Sequence, residues 1–296
     1  MTSLAPVMEG FFTRRLIQRR VSPHTIASYR DCFRLLLGYA QQTTGKQPAQ
    51  LDIADLDAEL IAGFLDHLEH DRAAGISTCN LRLTAIRSLF SYASLNCPDH
   101  QATIQRVLAI PPKRRNHTLV AYLTDAEVDA LLAAPDRASP LGRRDHALLV
   151  VAVQTGLRVS ELTGLTCADV TYGIGANVYT TGKGRKDRRT PLTPSTARLL
   201  QAWVRQRNAQ RDDPVFPAIG ERPMSTDAVE DLVDKHVRSA AKTCPSIAAK
   251  RVTPHTLRHT CAMNMLHGGI DQATIALWLG HANTRATDIY IHADMT

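Results

Sequence analysis

The sequence predicts a mainly helical chain with a small β-hairpin, an α+β protein built in two parts. Three observations predict it. Apolar residues recur at helical spacing through most segments, one Gly-punctuated basic turn is flanked by strand-forming residues, and a Pro-rich basic stretch interrupts the pattern between the two parts. The 296 residues are enough for two domains of ordinary size.

The first part, residues 1–110, reads as a bundle of four helices. One passes through Phe11, Phe12, Leu16 and Ile17. The next opens at Ser22-Pro23, a cap followed by a first-turn proline, and sets Ile26, Tyr29, Phe33, Leu36, Leu37 and Ala40 on one stripe. Leu60, Ile61, Phe64, Leu65 and Leu68 make a third stripe, ended near Gly75. The fourth helix starts at Ser77, with Ile86, Leu89, Phe90 and Ala93 inward and Asn80, Arg82 and Arg87 largely outward. Stripes of this width suit a small bundle.

Residues 111–122, "PPKRRNHTLVAY", cannot continue a helix and read as a linker. Lys113, Arg114 and Arg115 would be solvated in an ordinary protein, whereas in a DNA-binding one they would run along phosphates.

The second part, 123–296, restarts with a capping box at Thr124 to Glu127. The buried run "DHALLVVAVQTGLRVSELTGL" is broken by Gly156 and resumes after Arg158. Val178 and Tyr179 begin a strand, "GKGRKD" turns, and "RRTPLT" returns as its partner. Helices follow at "PSTARLLQAWVRQR", "STDAVEDLVDKHVRSAAK", "TPHTLRHTCAMNML" and "DQATIALWLG". In the third of these, Thr253 is the expected cap and Pro254 the first helical residue. His255 and Arg258 then share a face at the helix end that favours anions.

Composition narrows the partner. Thirty-five Lys+Arg against 28 Asp+Glu give a formal charge of +7 and a pI near 9.3, which suits a polyanion. Aromatics at 5% disfavour binding by extensive base stacking. "MTSLAPVMEGFF" lacks the features of a signal peptide, and no apolar run approaches a membrane span. Six scattered cysteines without a C-x-x-C argue against a metal site or a disulfide framework, and for the cytoplasm.

One polar residue per segment then stands out: Arg158 at the helix break, Lys183 in the hairpin tip, His255 and Arg258 in one helix start, His281 directly after Gly280, and Tyr290 nine residues later. Each alone has an ordinary structural explanation, and for Arg158 it is a pairing with Glu161. Together they make a phosphoryl-transfer set. Arginine forks match phosphodiester oxygens and the charge growing on five-coordinate phosphorus. A lysine on a mobile turn can protonate a leaving alkoxide, and histidines can bind a phosphate oxygen or take a phenolic proton. A tyrosine hydroxyl can attack phosphorus and hold the strand.

"TGLRVSEL", "GKGRKDR", "TPHTLRHT" and "LGHANTRATDIYIH", in that order, resemble the tyrosine recombinase (phage integrase) family over nearly the whole chain, closest to its simpler two-domain Xer-like or transposon-type members. The resemblance implies a SAM-like core-DNA-binding domain followed by the catalytic domain. It implies Arg158 and Arg258 as the phosphate clamp, Lys183 as the hairpin lysine, His255 and His281 as the two histidines and Tyr290 as nucleophile. It implies a 3′-phosphotyrosyl intermediate formed without metal, ATP or other cofactor. The partner would be double-stranded DNA bearing specific sites, with the protein forming dimers and tetramers on it. DNA contacts are expected from Asn80, Arg82, Arg87, Lys113, Arg114 and Arg115. The chain has six residues after Tyr290, where family members typically continue into a docking helix; the expectation is either that cyclic assembly does not use that route or that the chain is truncated. The alternatives are a type IB-like topoisomerase and a non-catalytic DNA-binding derivative.

Overall fold

A computed structural model describes residues 3–114, 121–181 and 187–280. They fall into two compact units, Met1–His117 and Thr118–Thr296.

The first unit begins with α1 (Leu4–Gly10), which runs on through a π-helical turn at Phe11–Leu16. The sequence leads one to expect an uninterrupted α-helix here. Phe11 and Leu16 are five residues apart and both fully buried, a spacing that a π turn, with its i to i+5 bonds, brings onto one face. Then come α2 (Pro23–Thr44), α3 (Ala58–His70), α4 (Ile76–Asn96) and α5 (Gln101–Ala109). The Ser22 hydroxyl caps α2 as expected, accepting from the Thr25 N–H. The fourth helix of the sequence reading starts one residue early, with Gly75 at its cap. Helix α5 is an addition to that reading: it is short and buries only Ile104 and Val107, too little apolar signal to stand out. Phe11, Phe33, Phe64 and Phe90 fill the core, with Phe11 and Phe33 edge-to-face at 6.1 Å.

The expected outward face of α4 is a correction. Asn80, Arg82 and Arg87 are half-buried and bound inside the unit. Arg82 donates to Asp31 Oδ2 at 2.5 Å and to the Ser28 carbonyl at 3.0 Å. Arg87 donates to the Ile110 carbonyl. Asn80 both accepts from and donates to the backbone of Lys113, at 2.9 Å each way.

The second unit holds α6 (Asp125–Ala133), α7 (Pro140–Thr155), α8 (Val159–Thr163), α9 (Pro194–Gln206), α10 (Thr226–Ala240), α11 (Pro254–His267) and α12 (Gln272–Leu279). The Thr124–Glu127 capping box is present, and Glu127 also binds Lys250 Nζ at 2.6 Å. The expected hairpin is β2 (Asn177–Thr181) with β3 (Asp187–Pro191), in antiparallel register with Tyr179 opposite Arg189. A two-residue strand, β1 (Val170–Thr171), adds to β2 and makes a three-stranded sheet. Helix α7 is buried along most of its length and anchors the core.

Gly156 ends α7 in the left-handed region, at φ +60°, and a Cβ there would lie 2.6 Å from Leu279 Cδ2 on α12. Gly156→Ala should therefore cost the left-handed penalty of about 1–2 kcal/mol and a steric term besides. Gly45→Ala, at φ +73° with open space around it, should cost the backbone term alone. Denaturant unfolding of the two variants measures the difference. Equal losses would show that the α7–α12 approach tolerates a methyl.

Candidate active site

Helix ends converge in the second unit. The last carbonyls of an α-helix have no partner within it, and its C-terminus carries about half a negative charge. At the end of α7 three successive carbonyls are taken by side chains from α11 and α12. Cys261 Sγ donates to Gln154 at 3.4 Å, Trp278 Nε1 to Thr155 at 3.0 Å, and Arg258 Nη1 to Gly156 at 2.6 Å. Arg258 Nη2 donates to the Leu279 carbonyl at 2.6 Å, so one guanidinium, only 3% exposed, joins the C-termini of α7 and α12. Burial also pushes the Cys261 thiol up to about 12, which leaves it a neutral donor.

The sequence places Arg258 there through the start of α11. Thr253 Oγ1 accepts from the Thr256 N–H and Thr256 Oγ1 from the Thr253 N–H, with Pro254 in the first turn. His255 is exposed on the same turn, its ring 4.1 Å from that of His259. Shelter by its surroundings, then the Arg258 charge, then that of Arg158 hold the His255 pKa below the ordinary imidazole value. Near neutral pH His255 is therefore uncharged, with a nitrogen able to accept a proton.

Arg158 stands between α7 and α8. Its backbone N–H donates to Glu161 Oε2 at 2.7 Å, its Nη1 to Glu161 Oε1 at 3.0 Å, and its Nη2 to the Gly280 carbonyl at 3.0 Å. The structural explanation open to Arg158 from sequence, a pairing with Glu161, is present. With it comes a bond to the residue before His281. Glu161 is buried and shared: Arg188 on β3 meets it with both nitrogens, Nη1 to Oε1 at 2.9 Å and Nη2 to Oε2 at 2.7 Å. Arg188 was not singled out in the sequence, where it is one of five cations between Lys183 and Arg189. The signal that could have found it is the β period, which turns Arg188 to the face opposite its exposed neighbours Asp187 and Arg189.

Lys183, His281 and Tyr290 lie outside the described residues, as does Arg115. Of the other expected DNA contacts, Arg114 is exposed, and Lys113 is bound through its ammonium to Asp66 and Glu69. Sequence reading passed over a basic turn. From Gly10 to Arg30 there are five arginines and no carboxylate. None of the five has an ion-pair partner among the described residues, and Arg30 lies over the Phe12 ring at 5.9 Å. Asp66, Glu69 and His70 are the one described group with metal-ligand spacing, and the Lys113 ammonium already binds two of the three. No helix among the described residues is long and apolar enough to cross a membrane.

A SAM-like helical bundle followed by a mainly helical unit with a small antiparallel sheet is the architecture of the tyrosine recombinases. The family model for the phage integrase family matches residues 121–296, and that for the phage integrase N-terminal SAM-like domain matches 8–95. The chain is 50% identical to "Putative integrase/recombinase y4rC" of Sinorhizobium fredii over 99% of its own length and 89% of that protein. It is 32% identical to the tyrosine recombinase XerC of Pelobacter propionicus, over 99% of the chain and 93% of the relative. Among solved structures, XerH bound to palindromic difH in a post-cleavage complex superposes with TM-score 0.73 at 21% identity, over 93% of the chain and 78% of XerH. The chain belongs to the phage integrase family, and it is an enzyme of the tyrosine recombinase type.

Burial would raise the pKa of Glu161, but bonds from Arg188, from the Arg158 N–H and the charges of both arginines outweigh it and hold the pKa below the usual value. Its contribution to stability is thus complete above the unfolded glutamate pKa of about 4.3 and is lost as pH falls through the lower folded value. Urea unfolding followed between pH 3 and 7 should show this acid limb, flattened in Glu161→Gln. An unchanged limb would place the titration elsewhere, with Asp145 the next candidate.

Proposed function

We propose that this protein cleaves and rejoins duplex DNA at specific sites through a tyrosyl intermediate, with Arg158, Lys183, His255, Arg258, His281 and Tyr290 as the reacting set. The observation that carries the reading is the convergence of Arg158 and Arg258 on one junction of helix ends, at the Gly156, Leu279 and Gly280 carbonyls, with His255 on the first turn of α11 near enough for both charges to act on it. Arg258 is oriented by two backbone carbonyls and Arg158 by the Gly280 carbonyl and Glu161, and five N–H donors in a planar fork let one guanidinium be held by protein and still address a phosphate.

The reaction is a transesterification. The Tyr290 oxygen attacks phosphorus, its proton passing to His255. The bond to the 5′-oxygen breaks as Lys183 supplies that oxygen with a proton. Arg158 and Arg258 stabilise the charge on the non-bridging oxygens, and His281 donates a further hydrogen bond. The product is a 3′-phosphotyrosyl link and a free 5′-hydroxyl. A second 5′-hydroxyl reverses the step and joins a new strand, so no ATP is consumed. A metal is not required by this scheme, because guanidiniums supply the positive charge and the carboxylate at the junction, Glu161, is already taken by two arginines and an N–H. Paired exchange calls for dimers and tetramers on double-stranded DNA, in the cytoplasm. XerH bound to difH and lambda integrase bound to a core site as a dimer offer parallels.

The helical unit, residues 1–110, would bind the duplex, with 111–122 as linker and 123–296 as catalytic domain. Arg82, Arg87 and Lys113 carry internal bonds, so the basic turn at Arg14 to Arg20 is the stronger source of phosphate contacts.

Tyr290→Phe should abolish the covalent protein–DNA adduct on a suicide duplex while leaving binding nearly intact, since one hydroxyl is lost. Arg158→Lys and Arg258→Lys should each slow cleavage by about a hundredfold or more, because a point charge cannot replace a fork. Cleavage should persist in excess EDTA. An adduct formed by the Phe variant would move the nucleophile elsewhere. Relaxation of a plasmid that lacks any recombination site would favour the topoisomerase reading, and binding without any adduct would favour the non-catalytic one.

Replacing Arg14, Arg19 and Arg20 by alanine should weaken binding to specific and random duplexes alike. It should lower the slope of log affinity against log salt by about one unit per lost phosphate contact. Arg82→Ala should act chiefly on the stability of the bundle. If Arg82→Ala flattens the slope and the triple variant does not, the DNA face lies on α4.

A further inference from the structure

We propose that Arg188 is a positioning residue for the cleavage step: by occupying both oxygens of Glu161 it keeps Arg158 from closing onto that carboxylate and leaves it positively charged toward the phosphate. This rests on the assignment of Arg158 to the scissile phosphate. Glu161 is 9% exposed, and its oxygens receive four bonds. The two guanidiniums share it unequally. Arg188, with its side chain 11% exposed, makes a bidentate pair, whereas Arg158, 32% exposed, gives one nitrogen to the carboxylate and the other to the Gly280 carbonyl. Two guanidiniums and one carboxylate leave a net positive charge at a place that must receive an anion.

Without Arg188, Glu161 faces Arg158 alone. The vacated lone pairs match the Arg158 fork, and the geometry that carboxylates and guanidiniums prefer is bidentate. Arg158 would turn inward, lose its bond to Gly280 and become one half of a neutral pair. Arg188 also ties this junction to the hairpin. It lies on β3, five residues beyond Lys183, and its Nη1 fills the space where a Cβ on Gly280 would sit, at 2.6 Å. Its position thus couples the strand that follows the lysine turn to the carbonyl that precedes His281.

The test is single-turnover cleavage of two suicide duplexes, one with an ordinary scissile phosphodiester and one with a methylphosphonate there. The methylphosphonate has no charge on phosphorus, so it has less need of a cation beside it. Arg188→Ala should slow diester cleavage by about a hundredfold, the scale of a misplaced reacting group. Its deficit on methylphosphonate should be much smaller, as should that of Arg158→Ala. In a Glu161→Gln background, where no carboxylate can capture Arg158, removing Arg188 should change the diester rate little. A purely structural Arg188 would slow both substrates equally and would still cost activity in that background, and either result overturns the proposal. If Arg188→Ala fails to fold around an uncompensated carboxylate, the comparison of Glu161→Gln with Glu161→Gln/Arg188→Ala decides it. Failure of the wild type to cleave, or an Arg158→Ala deficit that is equal on both substrates, would instead bring down the assignment of Arg158 itself.

Discussion

The second unit depends on one buried cation. Arg258 is almost wholly removed from water, and the effective cost of burying an ion is several kcal/mol. Two carbonyls at 2.6 Å, each at a helix C-terminus, compensate part of that cost. Hydrogen bonds to a charged group contribute about 1.5–3 kcal/mol each, and the two helix ends add their negative partial charge. Everything that shapes the junction follows from this arrangement. Gly156 must lack a side chain for α12 to approach, α11 must start where it does for Arg258 to reach both ends, and Trp278 and Cys261 cap the carbonyls beside it.

Much of this was legible in the sequence because it is written in local rules. Ser22-Pro23 and Thr253-Pro254 are cap and first-turn signals, and both helices begin there. The Thr124–Glu127 capping box formed as read, and the Gly-punctuated turn did separate two strands. What was not legible depends on spacing that tertiary packing decides. The π turn at Phe11–Leu16 differs from an α-helix by one residue of register, and only the burial of both ends selects it. Strand β1 has two residues and exists because β2 is beside it. Helix α5 offers two buried side chains.

The site divided in the same way. Arg158, His255 and Arg258 announce themselves because each sits at a helix start or break, where polar groups have a backbone reason to be. Charge alone was a poorer guide. Arg82 and Arg87 looked outward on a helical wheel, yet Asp31 and the Ile110 carbonyl, 51 and 23 residues away in sequence, hold them. Conversely, the arginines between Phe12 and Val21 sit on a short turn of weak periodicity and drew no notice, although that stretch holds no acid to pair with them. A cation is informative when its partners are known, and partners are the part of a fold that a linear sequence conceals.

For these arginines a structural role and a chemical one are not alternatives. Arg158 does pair with Glu161, and Arg258 does cap helix carbonyls. Such bonds are what a catalytic guanidinium needs before substrate arrives. A free arginine side chain gives up about 2 kcal/mol of rotamer freedom when fixed, and one already fixed by protein acceptors has met that cost in folding. Lysine could supply the charge to Gly156 or to Leu279 but not to both in one plane, because its ammonium lacks the fork. The same planar donor array that ties two helix ends together is what a tetrahedral phosphate, passing through a five-coordinate state, demands of the group beside it. In this junction the requirement of the fold and the requirement of the reaction select the same side chain.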